Sequence, residues 1–166
     1  AVISGGREYT YRAVNDRVNQ LAHALIALGV RKDDRVAAIL FNRSEFMEVY
    51  FALAKLGGIF VPMNFRLAGR ELDYQLKDSE AKVLIFDHEV IQVVDSIRSS
   101  IEIQPGNYIC VGEPAPSWAA GYEELLAGGD STEPEIGEEV DLDDPQMIMY
   151  TSGTTGTPKG ALLSHR

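Results

Sequence analysis

Apolar positions recur at helical spacing near the start of the chain. In "YRAVNDRVNQLAHALIALG", Val14, Val18, Leu21, Ala22, Leu25 and Leu28 fall on one face of a helix. Thr10 stands where a side-chain oxygen can cap the start, and Gly29 where a left-handed residue can end it. "RVAAILF" then reads as a strand buried on both faces, because its apolar run is continuous rather than alternating. "NRSEFMEVYFALAKLGG" returns to the helical period, with Asn42 and Glu45 spaced for a capping box and Gly57 as a stop. The same exchange continues: "IFVPM" is a strand ending at Pro62, "GRELDYQLKDS" a helix, "KVLIFD" a strand, "HEVIQVVDSIRSS" a helix and "NYICVG" a strand.

Strands separated by helices of about ten residues or more predict right-handed crossovers, hence an α/β fold with a mostly parallel sheet flanked by helices. The pattern weakens after Gly112. "EPAPSWAAG" reads as a loop, "YEELLAG" as a short helix and residues 128–144 as an acidic linker. "PQMIMY" restores a strand, which runs directly into "YTSGTTGTPKG". No internal repeat is visible.

Composition narrows the partners. The chain has 166 residues, about one domain, of which 45% are apolar and 24% charged, as in ordinary globular proteins. Its net charge of −10 is concentrated: positions 130–144 carry eight acidic residues and no basic one, leaving 15 basic and 17 acidic side chains elsewhere. That nearly neutral body has no basic stripe for a nucleic acid and no polybasic amphipathic face for an anionic membrane. The longest apolar stretch, "VYFALAKLGGIFVPM", is broken by Lys55, Gly57 and Gly58, short of the roughly 20 residues that a bilayer needs. Cys110 is the single cysteine, so no internal disulfide forms, and a reducing, cytoplasmic setting is expected. The opening "AVISGG" lacks an initiator Met and a signal-peptide layout, and "GALLSHR" ends the chain on an apolar run that wants a partner, so the sequence reads as a fragment.

The stretch from 150 to 160 carries the chemistry. A strand ending in a Gly/Ser/Thr loop suits phosphate: Gly153, Gly156 and Gly160 free the backbone to turn its N–H groups toward an anion. Thr151, Ser152, Thr154, Thr155 and Thr157 supply hydroxyls, and Lys159 a compact positive charge. A Walker A loop does not fit, because Pro158 takes the place of its second glycine and Gly160 the place of its Ser/Thr. A flexible linker has no reason to follow a buried strand and end in Pro-Lys-Gly.

"YTSGTTGTPKGALLSHR" resembles the nucleotide-binding signature of the AMP-forming adenylating enzymes, the superfamily of acyl-CoA synthetases, peptide-synthetase adenylation domains and luciferases. Two upstream segments resemble the same family in the same order: "EYTYRAVNDRVNQLAHALIALGVRKDDRVAAIL" and "AKLGGIFVPMNFRL". The form "FVPMNFRL" is more similar to acyl-CoA synthetases than to peptide-synthetase domains.

The resemblance covers the whole chain and implies a partial, distorted flavodoxin-like N-terminal subdomain (1–166) with the phosphate-binding loop at 150–160. It implies an ATP-dependent ligase that makes an acyl-adenylate with Mg²⁺ and passes the acyl group to coenzyme A. Thr151, Ser152, Gly153, Thr154, Thr155, Gly156 and Lys159 match the signature and would cradle the β- and γ-phosphates. No catalytic residue is identifiable within the chain, which is expected to be inactive alone, and fatty, aromatic and small carboxylic acids all stay open as substrates. Two other classes stay open beside it, a Walker-type NTPase and a non-catalytic flavodoxin-like interaction module.

The remaining conspicuous residues read structurally. His165 follows the signature without a partner base or nucleophile, and a hydrogen-bonding role is expected. Cys110 reads as a small buried apolar residue, Trp118 as a packing anchor and "LGG" as a helix stop. The acidic run reads as a solvated, mobile connector, and the three scattered histidines offer no metal-ligand spacing.

Overall fold

The computed structural model describes residues 2–151 and 157–166. A small antiparallel hairpin of β1 (Val2–Ser4) and β2 (Arg7–Tyr9) leads into α1 (Tyr11–Ala27). Then come β3 (Arg35–Ile39), α2 (Ser44–Leu56), β4 (Ile59–Pro62), α3 (Gly69–Ser79) and β5 (Val83–Asp87). A 3-10 turn (His88–Val90) precedes α4 (Ile91–Ile97), β6 (Tyr108–Val111), β7 (Ala120–Gly121) and α5 (Tyr122–Ala127). The hairpin β8 (Pro145–Thr151) and β9 (Lys159–Ser164) closes the order.

The larger sheet runs β7-β6-β5-β3-β4-β8-β9, with every neighbouring pair parallel except β8 and β9. The chain steps from β3 outward to β4 across α2, then back past β3 to β5 across α3. Right-handed crossovers in opposite directions must place these helices on opposite faces, and they do so. α1, α2 and α5 pack one face and α3 and α4 the other.

Period-two alternation explains the continuous apolar runs. Val36 and Ala38 of β3 and Val83 and Ile85 of β5 face α1 and α2, while Ala37, Ile39, Leu84 and Phe86 face α3 and α4. Cys110 lies on the second face, and Trp118 stacks on Phe86 at 5.4 Å between ring centroids. The expected stops hold too: Thr10 Oγ1 accepts from the Ala13 N–H at 3.1 Å, and Gly29 and Gly57 both take positive φ.

Three expectations are corrected. Asn42 does not cap α2. Its N-cap is Arg43, in extended geometry, and Glu45 turns to bind the Arg43 guanidinium at 2.9 Å. The Ser44 N–H is taken instead by Ser4 Oγ from the β1–β2 hairpin, 3.1 Å away, a partner 40 residues upstream that local spacing cannot reveal. The helix expected from His88 begins as a 3-10 turn and settles into α-geometry only at Ile91. Finally, the acidic segment is no free connector. Glu133 accepts from Asn15, Asn19 and Lys55, and Lys32 binds both the Glu139 carbonyl and Asp144, so the segment is strapped across α1 and α2.

Candidate functional site

β8 runs parallel to β4, so its carboxyl end emerges on the edge of the sheet where open α/β folds bind ligands. Strands enter the glycine-rich stretch from both sides. Tyr150 and Thr151 finish β8, Lys159 and Gly160 begin β9, and the last rungs pair Tyr150 with Gly160 and Thr151 with Lys159. Thr151 Oγ1 lies 3.5 Å from the Lys159 carbonyl oxygen.

Of the seven residues expected to hold phosphate, Thr151 and Lys159 are therefore neighbours at the end of the hairpin, and both are exposed. Ser152, Gly153, Thr154, Thr155 and Gly156 lie outside the described residues. Lys159 forms no ion pair among the described residues, and Thr157 adds a second exposed hydroxyl-bearing residue beside Thr151. Such a donor set fits a polyphosphate. Among the described residues, no three His, Cys, Asp or Glu side chains come together as a metal would require. Likewise, no helix among them is long and apolar enough to cross a membrane.

Gly160 has a different reason for being glycine than backbone freedom. It sits in β9 with no positive φ, and a Cβ there would come within 2.8 Å of Ile148 Cγ2 and 3.5 Å of Tyr150 Cζ. Ile148 fills the space a side chain would take, and the Tyr150 ring lies alongside at ordinary contact distance. The Tyr150 hydroxyl reaches α3, donating to Asp78 Oδ2 at 2.7 Å and lying 3.4 Å from the Gln75 carbonyl oxygen. Burial, and then this carboxylate, push the Tyr150 phenol above its usual pKa range. Tyr74 makes a second link from the same helix, donating to the Pro158 carbonyl at 3.2 Å.

These contacts escaped the sequence reading. Tyr74 and Asp78 show only as polar positions four apart on an amphipathic helix, and 72 to 84 residues separate them from their partners. The nearby His165 donates its backbone N–H to the Asp144 carbonyl at 3.3 Å, while its buried Nε2 has no partner among the described residues. A cavity of about 740 Å³ lies elsewhere, lined by residues that include Leu28, Leu76, Lys82, Ile103 and Asn107, and shares no residue with the described part of the hairpin.

Comparison with known proteins agrees with this geometry. Residues 1–166 match the model of a family described as AMP-binding enzyme. The chain is 39% identical over 165 residues to feruloyl-CoA synthase of Amycolatopsis sp, covering 99% of this chain and 30% of that protein. It is 39% identical over 158 residues to the long-chain-fatty-acid–CoA ligase FadD13 of Mycobacterium tuberculosis, covering 94% and 29%. Among solved structures, the anthranilate CoA ligase AuaEII in complex with anthranoyl-AMP superposes with a TM-score of 0.93 at 30% identity, covering 99% of this chain and 31% of the other. The chain thus spans about 30% of the length of the curated relatives it matches.

Proposed function

This chain belongs to the AMP-binding enzyme family, and from that premise we propose that it is the N-terminal, phosphate-gripping part of an acyl-CoA synthetase. The reaction proposed is ATP-dependent activation of a carboxylic acid to an acyl-adenylate, with loss of pyrophosphate, followed by transfer of the acyl group to coenzyme A. The observation that carries the reading is the β8–β9 hairpin, which presents Thr151 and Lys159 side by side at the carboxyl edge of the sheet. Chemistry of this kind depends on positioning and charge stabilisation, and the protein need not supply a nucleophile.

In this reading Lys159 offsets charge on the departing phosphates, and the hydroxyls and backbone amides of residues 151–156 orient them. Mg²⁺ keeps much of its shell from phosphate oxygens and water, so it does not require a carboxylate cage in this segment. The 166-residue chain alone turns over no acid, and the setting is cytoplasmic, in keeping with a single buried thiol.

Pyrophosphate exchange by the full-length enzyme with a panel of aromatic, fatty and small carboxylic acids tests the reaction and identifies the substrate. AMP and pyrophosphate are the expected products. ADP in their place would return the assignment to a Walker-type NTPase, and no nucleotide binding would return it to an interaction module. Within the same protein, Lys159→Ala is expected to slow adenylation by about 100-fold, the size of one lost charge-stabilising donor. Thioester formation from supplied acyl-adenylate should change by no more than about twofold. Equal slowing of both half-reactions would remove Lys159 from the proposed role.

A further inference from the structure

The β8–β9 hairpin is the outer edge of the sheet, and its far end reaches beyond β4. β4 and β8 share the single register pair Phe60↔Met147, and β4 ends at Pro62, which has no N–H to offer. Ile148 and Met149 still lie alongside Val61 and Pro62, and beyond them Tyr150 and Thr151 pair with Gly160 and Lys159 past the end of β4. Side chains help to set where this end of the hairpin stands. Ile148 and Tyr150 pack against the apolar face that α3 covers, and two hydrogen bonds from α3 grip the stems, one on each side of the turn. Tyr74 takes the Pro158 carbonyl, next to Lys159, and Asp78 takes the Tyr150 hydroxyl, next to Thr151. Tyr74 and Asp78 sit four residues apart and so share one face of the helix. α3 is itself anchored through the buried Leu72 and Leu76.

We propose that Tyr74 and Asp78 are positioning residues for the phosphate site, two struts from α3 that set where Thr151 and Lys159 stand. Neither touches substrate. Each acts through the hairpin stem, and together they fix its tilt as a single contact could not. Gly160 lies against the same stem, since a Cβ there would come within 2.8 Å of Ile148 Cγ2, one of the two side chains that seat the hairpin on this face. The inference rests on reading this hairpin as the phosphate site, and its test separates the two.

In the full-length enzyme, Tyr74→Phe and Asp78→Ala are expected to raise the KM for ATP about tenfold, as a loss of positioning rather than of charge. The KM for the carboxylic acid and the rate of thioester formation from supplied acyl-adenylate should stay within about twofold of wild type. Asp78→Asn keeps an oxygen that can accept the Tyr150 proton and should restore the ATP KM, whereas Asp78→Leu, which keeps bulk but has no acceptor, should not; equal KM values for the asparagine and leucine variants would overturn the proposal. The second readout is amide hydrogen exchange of the same full-length proteins. Peptides spanning 148–151 and 157–162 should exchange faster in Tyr74→Phe and Asp78→Ala, while peptides from α1 and α2 are unchanged. Unchanged exchange in the hairpin, or acid and ATP KM values that rise together, would overturn the proposal. Should the wild-type enzyme activate no acid, the reaction assignment fails by itself, and the exchange measurement still decides whether α3 holds the hairpin.

Discussion

Replacing Glu48 with alanine tests a buried polar contact that joins three helices. Its carboxylate is 2% exposed and accepts from Arg17 Nε at 2.8 Å, Arg17 Nη2 at 3.1 Å and the Tyr122 hydroxyl at 2.8 Å, joining α1, α2 and α5 at one point. Burial, followed by the Glu48 charge, pushes the Tyr122 phenol well up, so this hydroxyl remains a donor at any ordinary pH. Glu48→Ala leaves that donor stranded, which costs about 1–3 kcal/mol. Breaking a buried ion pair from one side typically costs about 3–5 kcal/mol in all. The lower end applies here, because Arg17 is itself partly exposed and keeps two bonds to Glu123, at 2.7 and 2.9 Å. The expected loss is therefore about 3 kcal/mol, or about 6–12 °C in melting temperature for a chain of this size. Calorimetry reads the shift directly. Adding Tyr122→Phe to Glu48→Ala removes the stranded hydroxyl and should recover about 1 kcal/mol, the coupling expected between direct contacts. A fall of less than about 2 °C for Glu48→Ala, or no recovery in the double variant, would refute the reasoning.

Two further measurements probe the strap and the core. Hydrogen bonds from Asn15, then Lys55 and Asn19, lower the Glu133 carboxyl from its usual 4.5 to about 2. A depressed folded-state pKa contributes stability that is present above about pH 4.5 and is lost as pH falls toward 2. The wild-type urea midpoint should accordingly drop more between pH 6 and pH 3 than that of Glu133→Gln, and parallel pH profiles would disprove the link. The buried Cys110 thiol is pushed up to about 11, by burial first and the Asp87 charge second. It should resist a thiol reagent at pH 8 until the chain is unfolded, and rapid labelling of the native protein would contradict its burial.

The parts of the fold legible in the sequence are those whose cause is local. α1 carries its apolar stripe, its Thr10 cap and its Gly29 stop within twenty residues, and the strands β3, β5 and β6 announce their two-sided burial by unbroken apolar runs. The features that escaped have partners far along the chain. Ser4 displaces Asn42 at the start of α2, and the charged segment after Gly129, though exposed, is held by Asn15, Lys32 and Lys55. β9 gives the same lesson: "KGALLS" alternates poorly, and only its pairing with β8 makes it a strand.

A signature motif names the atoms that meet a ligand, but it does not say what keeps those atoms in place. Thr151 and Lys159 stand out in the sequence because glycine, hydroxyl and ammonium in one short run suit phosphate, and it is on this ground that they are proposed as its ligands. Tyr74 and Asp78 do not, because a tyrosine and an aspartate on a helix flank are ordinary surface residues until the β8–β9 hairpin is folded against them. Gly160 lies between the two cases: by composition it belongs with the flexible turn, yet its contacts with Ile148 and Tyr150 make it part of the support. The chemistry proposed for this site is thus written in one contiguous segment, while the hydrogen bonds that reach its stems come from a helix that begins about eighty residues earlier.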